Sequence, residues 1–275
     1  AKAMATHPPH DQGKIWQHFQ NAAPESFAAA HPRLDFLIRQ IARRASGSRK
    51  KAAPTTIASR QPNGNLGIHA NELAKPHLIV VDKHGKRFTN ESQNYMAYQK
   101  ALFATHSSEN PCVPSYHVFD ARFRRSYIVG PLYNSRMRPD WAVPQRWFEA
   151  GFVHKADTVA ELARKAGIDP AGLEETIRRM NEFARTGKDT DFQRGDADYD
   201  RYYGDQSVGP NPCLGPIEKA PFYGVKIYPG ELGTKGGFAV DENARVLRED
   251  GSVIEGLFAI GNCSSPVTGT TYPAS

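Results

Sequence analysis

The residues from Gly236 onward constrain the fold most. Three short apolar stretches, Gly237-Phe-Ala-Val240, Ala244-Arg-Val-Leu247 and Val253 to Ile260, alternate with the turn segments Asp241-Glu-Asn243 and Glu249-Asp-Gly-Ser252. Polar turns between such short runs fold the chain back on itself, so an antiparallel meander is expected. Its last run, Ile254-Glu-Gly-Leu-Phe-Ala-Ile260, is broken only by Glu255 and Gly256 and leads into Gly261-Asn262, a turn pair.

Upstream the pattern changes to helices and isolated strands. Leu173, Ile177, Met180 and Phe183 form one apolar stripe. Asp169 stands at the N-cap, Pro170 in the first turn and Gly187 at the stop. Thr158 to Lys165 reads as its helical partner, with Asp157 as a cap. Leu78-Ile-Val-Val-Asp82 is a β-branched run closed by Lys83-His-Gly-Lys86, which predicts a strand and a turn. Thr89-Asn-Glu-Ser92 offers capping side chains before a helix across Tyr95 to Phe103, and Pro114 to Asp120 alternates as a strand. Residues 1–76 are less patterned. Asp35 to Arg44 reads as a helix, and Ala45 to Gly67, rich in Ser, Ala, Pro, Lys and Gly, reads as a loop.

The chain has 275 residues, enough for one large or two modest domains. A mean hydropathy of −0.58 and the lack of any apolar run near ~20 residues argue against a membrane span. Three widely separated cysteines, Cys112, Cys213 and Cys263, suggest neither a disulfide framework nor a zinc-ribbon spacing, so a reducing cytoplasm is expected. His7 and His10 form an isolated H-x-x-H pair, too few ligands to define a metal site. The net charge of +6 gathers early, in Arg39, Arg43, Arg44, Arg49, Lys50, Lys51 and Arg60. That run has no interleaved aromatics and no nucleic-acid-binding motif, so it reads as a solvated basic loop and no nucleic-acid partner is expected.

Three segments, taken in order, are similar to the FAD-dependent oxidoreductase 2 family, and in particular to its 3-ketosteroid dehydrogenase branch. The first is Gly85-Lys-Arg-Phe-Thr-Asn-Glu-Ser-Gln-Asn-Tyr95. The second runs from Tyr199-Asp-Arg-Tyr-Tyr-Gly-Asp205 through Lys219-Ala-Pro-Phe-Tyr-Gly-Val-Lys226 to Pro229-Gly-Glu-Leu-Gly-Thr-Lys-Gly-Gly237. The third is Gly256-Leu-Phe-Ala-Ile-Gly-Asn262 continuing to Thr271-Tyr-Pro273. The resemblance covers roughly residues 77 to 275. It implies an α+β fold: a substrate-binding, catalytic domain over residues 77–232 and the C-terminal part of an FAD-binding domain over 233–275. Residues 1–76 form a further region of helix and basic loop.

The resemblance also implies a reaction. A 3-ketosteroid 1-dehydrogenase removes a proton and a hydride beside a ring ketone, so it needs a donor at the ketone oxygen and a base near the adjacent C–H. Tyrosine suits both roles if its pKa is lowered, and its ring packs against a steroid. Tyr272 matches the family's T-Y-P tyrosine that helps polarise the ketone; the accompanying backbone donor would fall at position 276. Tyr95 is the candidate base, with Tyr116 and Tyr127 as further substrate-side candidates. Read without the resemblance, each is one of eleven tyrosines and equally a half-buried core residue. Gly236, Gly237, Gly261 and Asn262 are the candidate FAD contacts, where small residues let the backbone approach a cofactor; tight turns would use them equally well.

Fumarate reductases of the same family carry a substrate His and, after N-E, an Arg. This chain has Leu232-Gly233-Thr234 and Tyr95 at those places. A dicarboxylate demands cations, so their replacement implies a neutral ketone-bearing substrate. No G-x-G-x-x-G phosphate cradle occurs in the sequence. The chain is therefore expected to be part of a larger enzyme, binding FAD weakly and inactive by itself. A 4-ene-forming dehydrogenase, an enoate reductase and a non-catalytic steroid- or lipid-binding module remain alternatives. Peripheral membrane contact and oligomeric state stay open.

Overall fold

The computed structural model describes residues 56–69, 71–230 and 237–265, which fall into two compact units, one within residues 52–235 and one within 236–270. The helix expected over Asp35 to Arg44, the His7/His10 pair, most of the basic run, Gly236 and Tyr272 lie outside the described residues.

The larger unit is an antiparallel sheet with helices on both faces. Its axis is β6 (Phe222–Gly230), nine residues long. One edge of β6 pairs with β4 (Ser115–Phe119), in register from Ser115 opposite Ile227 to Phe119 opposite Tyr223. β4 in turn pairs with β3 (Leu78–Val81). The other edge of β6 serves two strands in succession: β5 (Val153–Ala156) against Phe222 to Val225, and β1 (Thr56–Arg60) against Tyr228 to Gly230. β2 (Leu66–His69) completes the sheet beside β1.

Alternation along the strands divides the core. Ile79, Val81, Tyr116, Val118 and Phe222 pack with α4 (Val159–Ala166) and α5 (Pro170–Thr186) through Leu162, Leu173, Ile177 and Met180. Leu78, Val80, Phe119, Tyr223, Val225 and Ile227 pack instead with α1 (Tyr95–Thr105), α2 (Ala121–Ser126) and α3 (Gln145–Glu149), through Tyr98, Leu102, Phe123 and Trp147. Both faces being covered, all four residues of β3 are buried, which is why that strand is a continuous apolar run rather than an alternating one.

The helices expected within the described residues form, with caps that follow local chemistry. Asn94 Oδ1 accepts from the Ala97 N–H at 2.9 Å and starts α1 at Tyr95. Asp169 Oδ2 accepts from the Gly172 N–H at 2.8 Å, and α5 ends on Gly187 in the left-handed region. On α4 the capping side chain is Thr158, which accepts from the Glu161 N–H, rather than the expected Asp157. Gly85 is required by a close approach: its φ is +72°, and a Cβ there would stand 2.3 Å from the Leu173 nitrogen of α5.

Two expectations about strands need correction. The segment read as a loop over Ala45 to Gly67 contains β1 and the start of β2, a hairpin whose turn holds the breakers Pro62, Asn63 and Gly64. What stabilises it is pairing with β6, a partner too distant in sequence for any local pattern to show. β6 itself escaped the sequence reading because Gly224 and Pro229 disfavour a strand. The hairpin places residues 56–69 in the same sheet as the segment beginning at Leu78.

In the smaller unit β7 (Arg245–Leu247) and β8 (Val253–Phe258) pair antiparallel, Val240 bridges antiparallel to Val246, and Phe238 bridges parallel to Ser264. The three expected runs thus fold back as a small β-meander. Among the described residues, no helix is long and apolar enough to cross a membrane.

Candidate functional site

The first motif segment leaves β3 and reaches α1 through a loop held from beneath by buried charges. Arg87 grips Glu91 with two hydrogen bonds of 2.7 Å and Asp189 with a third of 2.7 Å. Arg194, fully buried, lies 3.4 Å from Glu91 and donates to the carbonyls of Leu73, Lys75 and Leu78. Glu91 also accepts from the Val80 N–H, tying the loop to β3. Burial opposes ionisation of Asp189, but hydrogen bonding and the charge of Arg87 prevail and hold its carboxyl below the usual range. This network fixes the path of Thr89 to Asn94, and so the place where Tyr95 emerges as the first residue of α1.

The second motif segment braces the first. α6 (Asp198–Tyr203) and the turn after it contribute two carboxylates. Asp200 accepts from Asn90 Nδ2 at 2.8 Å and from the Gly195 N–H at 3.0 Å. Asp205 accepts from the Tyr127 hydroxyl at 2.5 Å. Burial and this bond to an anion both push the Tyr127 hydroxyl pKa up, while hydrogen bonds from Ser207 and Tyr127 lower that of Asp205. Tyr127 is therefore a fixed neutral hydroxyl whose proton is committed to Asp205, suited to positioning a ligand rather than to taking its proton.

Tyr95 is half-buried. The loop before it and Tyr127 are fastened to the same short stretch, Asp198 to Asp205. Tyr116 belongs elsewhere: it is 5% exposed and packs with α4 and α5, whereas Tyr127 packs against the cluster on the opposite face of the sheet. Burial raises the Tyr116 hydroxyl pKa. The structure does not bring Tyr116 and Tyr127 together.

In the smaller unit Gly237 lies against the backbone of Cys263 and Ser264; a Cβ on it would stand 2.3 Å from the Cys263 carbonyl oxygen. Its glycine is thus explained by close packing of two backbone segments. Gly261 opens the 3-10 turn Gly261–Cys263 with φ +57° and, among the described residues, has nothing within 4 Å of the Cβ position. That open backbone fits the approach of a cofactor. Asn262 is the middle residue of the same turn.

Sequence reasoning missed Asp189, Arg194, Asp200 and Asp205 as the supports of this site. The i,i+4 spacing of Arg87 and Glu91 was a local signal for one ion pair. The partners of the others lie across the fold and leave no such spacing.

The class follows from comparison with known proteins. Residues 37–274 match the FAD binding domain family, and the chain belongs to it. FAD is accordingly its cofactor. Over 207 residues it is 46% identical to the 3-oxosteroid 1-dehydrogenase of Mycobacterium tuberculosis, an alignment covering 74% of this chain and 36% of that protein. It is 40% identical over 207 residues to the 4-oxocyclohexanecarboxylate 2-dehydrogenase of Sinomonas cyclohexanicum, covering 74% of this chain and 34% of that one. Among solved structures it resembles 3-ketosteroid delta1-dehydrogenase from Sterolibacterium denitrificans in complex with 1,4-androstadiene-3,17-dione. The TM-score is 0.74 at 38% identity, covering 82% of this chain and 41% of that one. The chain thus spans about a third of the length of the curated relatives it matches.

Proposed function

We propose that this chain carries the substrate-binding part and a flavin-contacting segment of a dehydrogenase that introduces a C=C bond beside the ketone of a 3-ketosteroid. The observation that carries this reading is Tyr95, standing as the first residue of α1 behind the buried Arg87–Glu91 pair. The likeness to 3-oxosteroid 1-dehydrogenases supports it. In this reading residues 77–232, extended by the β1–β2 hairpin, bind substrate, and residues 233–275 belong to the FAD-binding part.

The substrate loses a proton and a hydride from adjacent carbons, and the two electrons left behind form the double bond. Tyr95, as phenolate, takes the proton. Tyr272 donates to the ketone oxygen, which acidifies the neighbouring C–H. Tyr127, fixed by Asp205, lines the steroid. Bound FAD supplies the hydride acceptor at N5. Backbone at Gly236, Gly237, Gly261 and Asn262 would hold it. The protein acts in the cytoplasm.

The likeness to a dehydrogenase of 4-oxocyclohexanecarboxylate favours a second reading, a monocyclic ketone substrate. A carboxylate substrate calls for a cation, and Tyr95 stands where fumarate reductases place one, so the neutral steroid is preferred. The test is oxidation of a 4-ene-3-ketosteroid by the dehydrogenase that contains this chain, with FAD and an artificial electron acceptor, followed by the absorbance of the 1,4-dienone. Tyr95→Phe and Tyr272→Phe should each lower kcat by roughly 10²–10⁴. A Tyr95→Phe protein at the parent rate refutes the assigned base. Faster oxidation of 4-oxocyclohexanecarboxylate than of any steroid selects the second reading.

A further inference from the structure

The α1 face of the sheet holds a second group of polar side chains that the proposed dehydrogenation does not use. His69 ends β2, Glu72 lies in the 3-10 turn Asn71–Ala74, and His117 is central in β4. His117 is fully buried, and among the described residues neither of its ring nitrogens has a hydrogen-bond partner. A neutral imidazole left so loses the bonds it makes in water, on the order of 1–3 kcal/mol per buried group. The ring is not isolated: His69 meets it edge to face with centroids 5.0 Å apart. His69 Nδ1 is 2.7 Å from Glu72 Oε1, and the Gly130 N–H donates to the same oxygen at 3.1 Å.

We propose that His69, Glu72 and His117 bind a divalent transition-metal ion of the zinc class. One donor atom from each residue lies within 4.8 Å of the other two. Tetrahedral zinc places its ligand atoms about 3.3 Å apart, so closure needs shifts of an ångström or so from side chains alone. Two imidazoles and a carboxylate form a donor set for zinc, cobalt or iron, and lack the all-oxygen character that calcium or magnesium requires. The ion takes the place of the hydrogen bond between His69 Nδ1 and Glu72, and the neutral ring keeps its proton on Nε2, 2.8 Å from Ser59 Oγ. The Gly130 N–H remains on the Glu72 carboxylate as the outer support that metal-bound carboxylates use. Gly130 has to be glycine here, since a Cβ would stand 2.7 Å from His69 Cε1.

The experiment uses the full chain, purified without a polyhistidine tag, stripped with chelator and titrated with zinc or cobalt(II). One ion per chain should be retained through desalting, with, for cobalt, visible d–d absorption. At zinc about 100 times its Kd the melting temperature should rise by roughly 5–10 °C. His117→Gln and Glu72→Gln should abolish retention and the shift, and His154→Gln, outside the cluster, should keep both. Melting His117→Gln in chelator checks that it still folds. The wild-type ion retention and melting shift stand even if it does not. No retained ion, or no zinc-induced shift in the wild type, overturns the proposal and leaves His117 to buried water. Undiminished binding in a folded His117→Gln protein also overturns it.

Discussion

Replacing Arg87 with Met should be the most damaging single change to the loop that leads into Tyr95. The guanidinium is buried, with a side chain 4% exposed, and makes three hydrogen bonds of 2.7 Å to Glu91 and Asp189, both carboxylates wholly buried. Methionine fills much of the volume but leaves Asp189 without its cation and Glu91 with only Arg194, at 3.4 Å. Removing one partner of a buried pair costs about 3–5 kcal/mol, because the remaining charge stays desolvated. For a unit of this size that lowers the melting temperature by roughly 6–20 °C. The acid dependence supplies a second reading. Asp189's folded pKa is depressed, so its contribution is present above the unfolded pKa of about 3.9 and is lost as pH falls through the folded value. Arg87→Met removes the cause of the depression, so the gap between wild type and variant should be widest near neutrality and shrink in acid. Thermal melts followed by circular dichroism between pH 7 and pH 3 measure both. A loss under about 1 kcal/mol at pH 7, or a gap that does not shrink in acid, refutes the claim that this ion network carries the loop.

Three further outcomes are expected. Asp205→Asn removes the anion that accepts from Tyr127, so the Tyr127 hydroxyl should titrate at lower pH, read by phenolate absorbance against a Tyr127→Phe reference. Gly85→Ala should destabilise by more than about 2 kcal/mol, since it combines a φ of +72° with a Cβ 2.3 Å from the Leu173 nitrogen; denaturant midpoints measure this. Cys263, exposed, should react quickly with a thiol reagent at pH 8, while Cys112, buried and pushed up to about 12, should react only as the protein unfolds.

Motifs and local elements were legible for different reasons. Asp169, Pro170 and Gly187 marked the ends of α5 because capping chemistry is decided within a turn of chain. The turns around Asp241 and Asp250 marked the meander for the same reason. The motif segments carried Tyr95 and the family. They did not tell why Asn90, Glu91, Asp200 and Asp205 stand in those segments. The structure answers that Asn90 and Asp200 fasten one segment to the other, and that Asp205 holds Tyr127. Tyr116 and Tyr127 were equivalent as letters; β4 turns Tyr116 toward α4 and α5, and Tyr127, just past the end of α2, packs on the opposite face of the sheet.

By itself the sequence determined what short-range forces decide: the capped helices, the buried run of β3, the turns of the meander, and the family. Tertiary structure alone decided that β6 is the axis of the sheet. Its Gly224 and Pro229 are poor strand residues, and neighbours on both edges supply the hydrogen bonds and burial that overcome them. It also decided that Arg87, Glu91, Asp189 and Arg194 meet, and that His69 and His117 lie face to edge. Such clusters offset the cost of burying polar groups only by meeting partners from distant segments, and which segments pack together is written in no single stretch of chain.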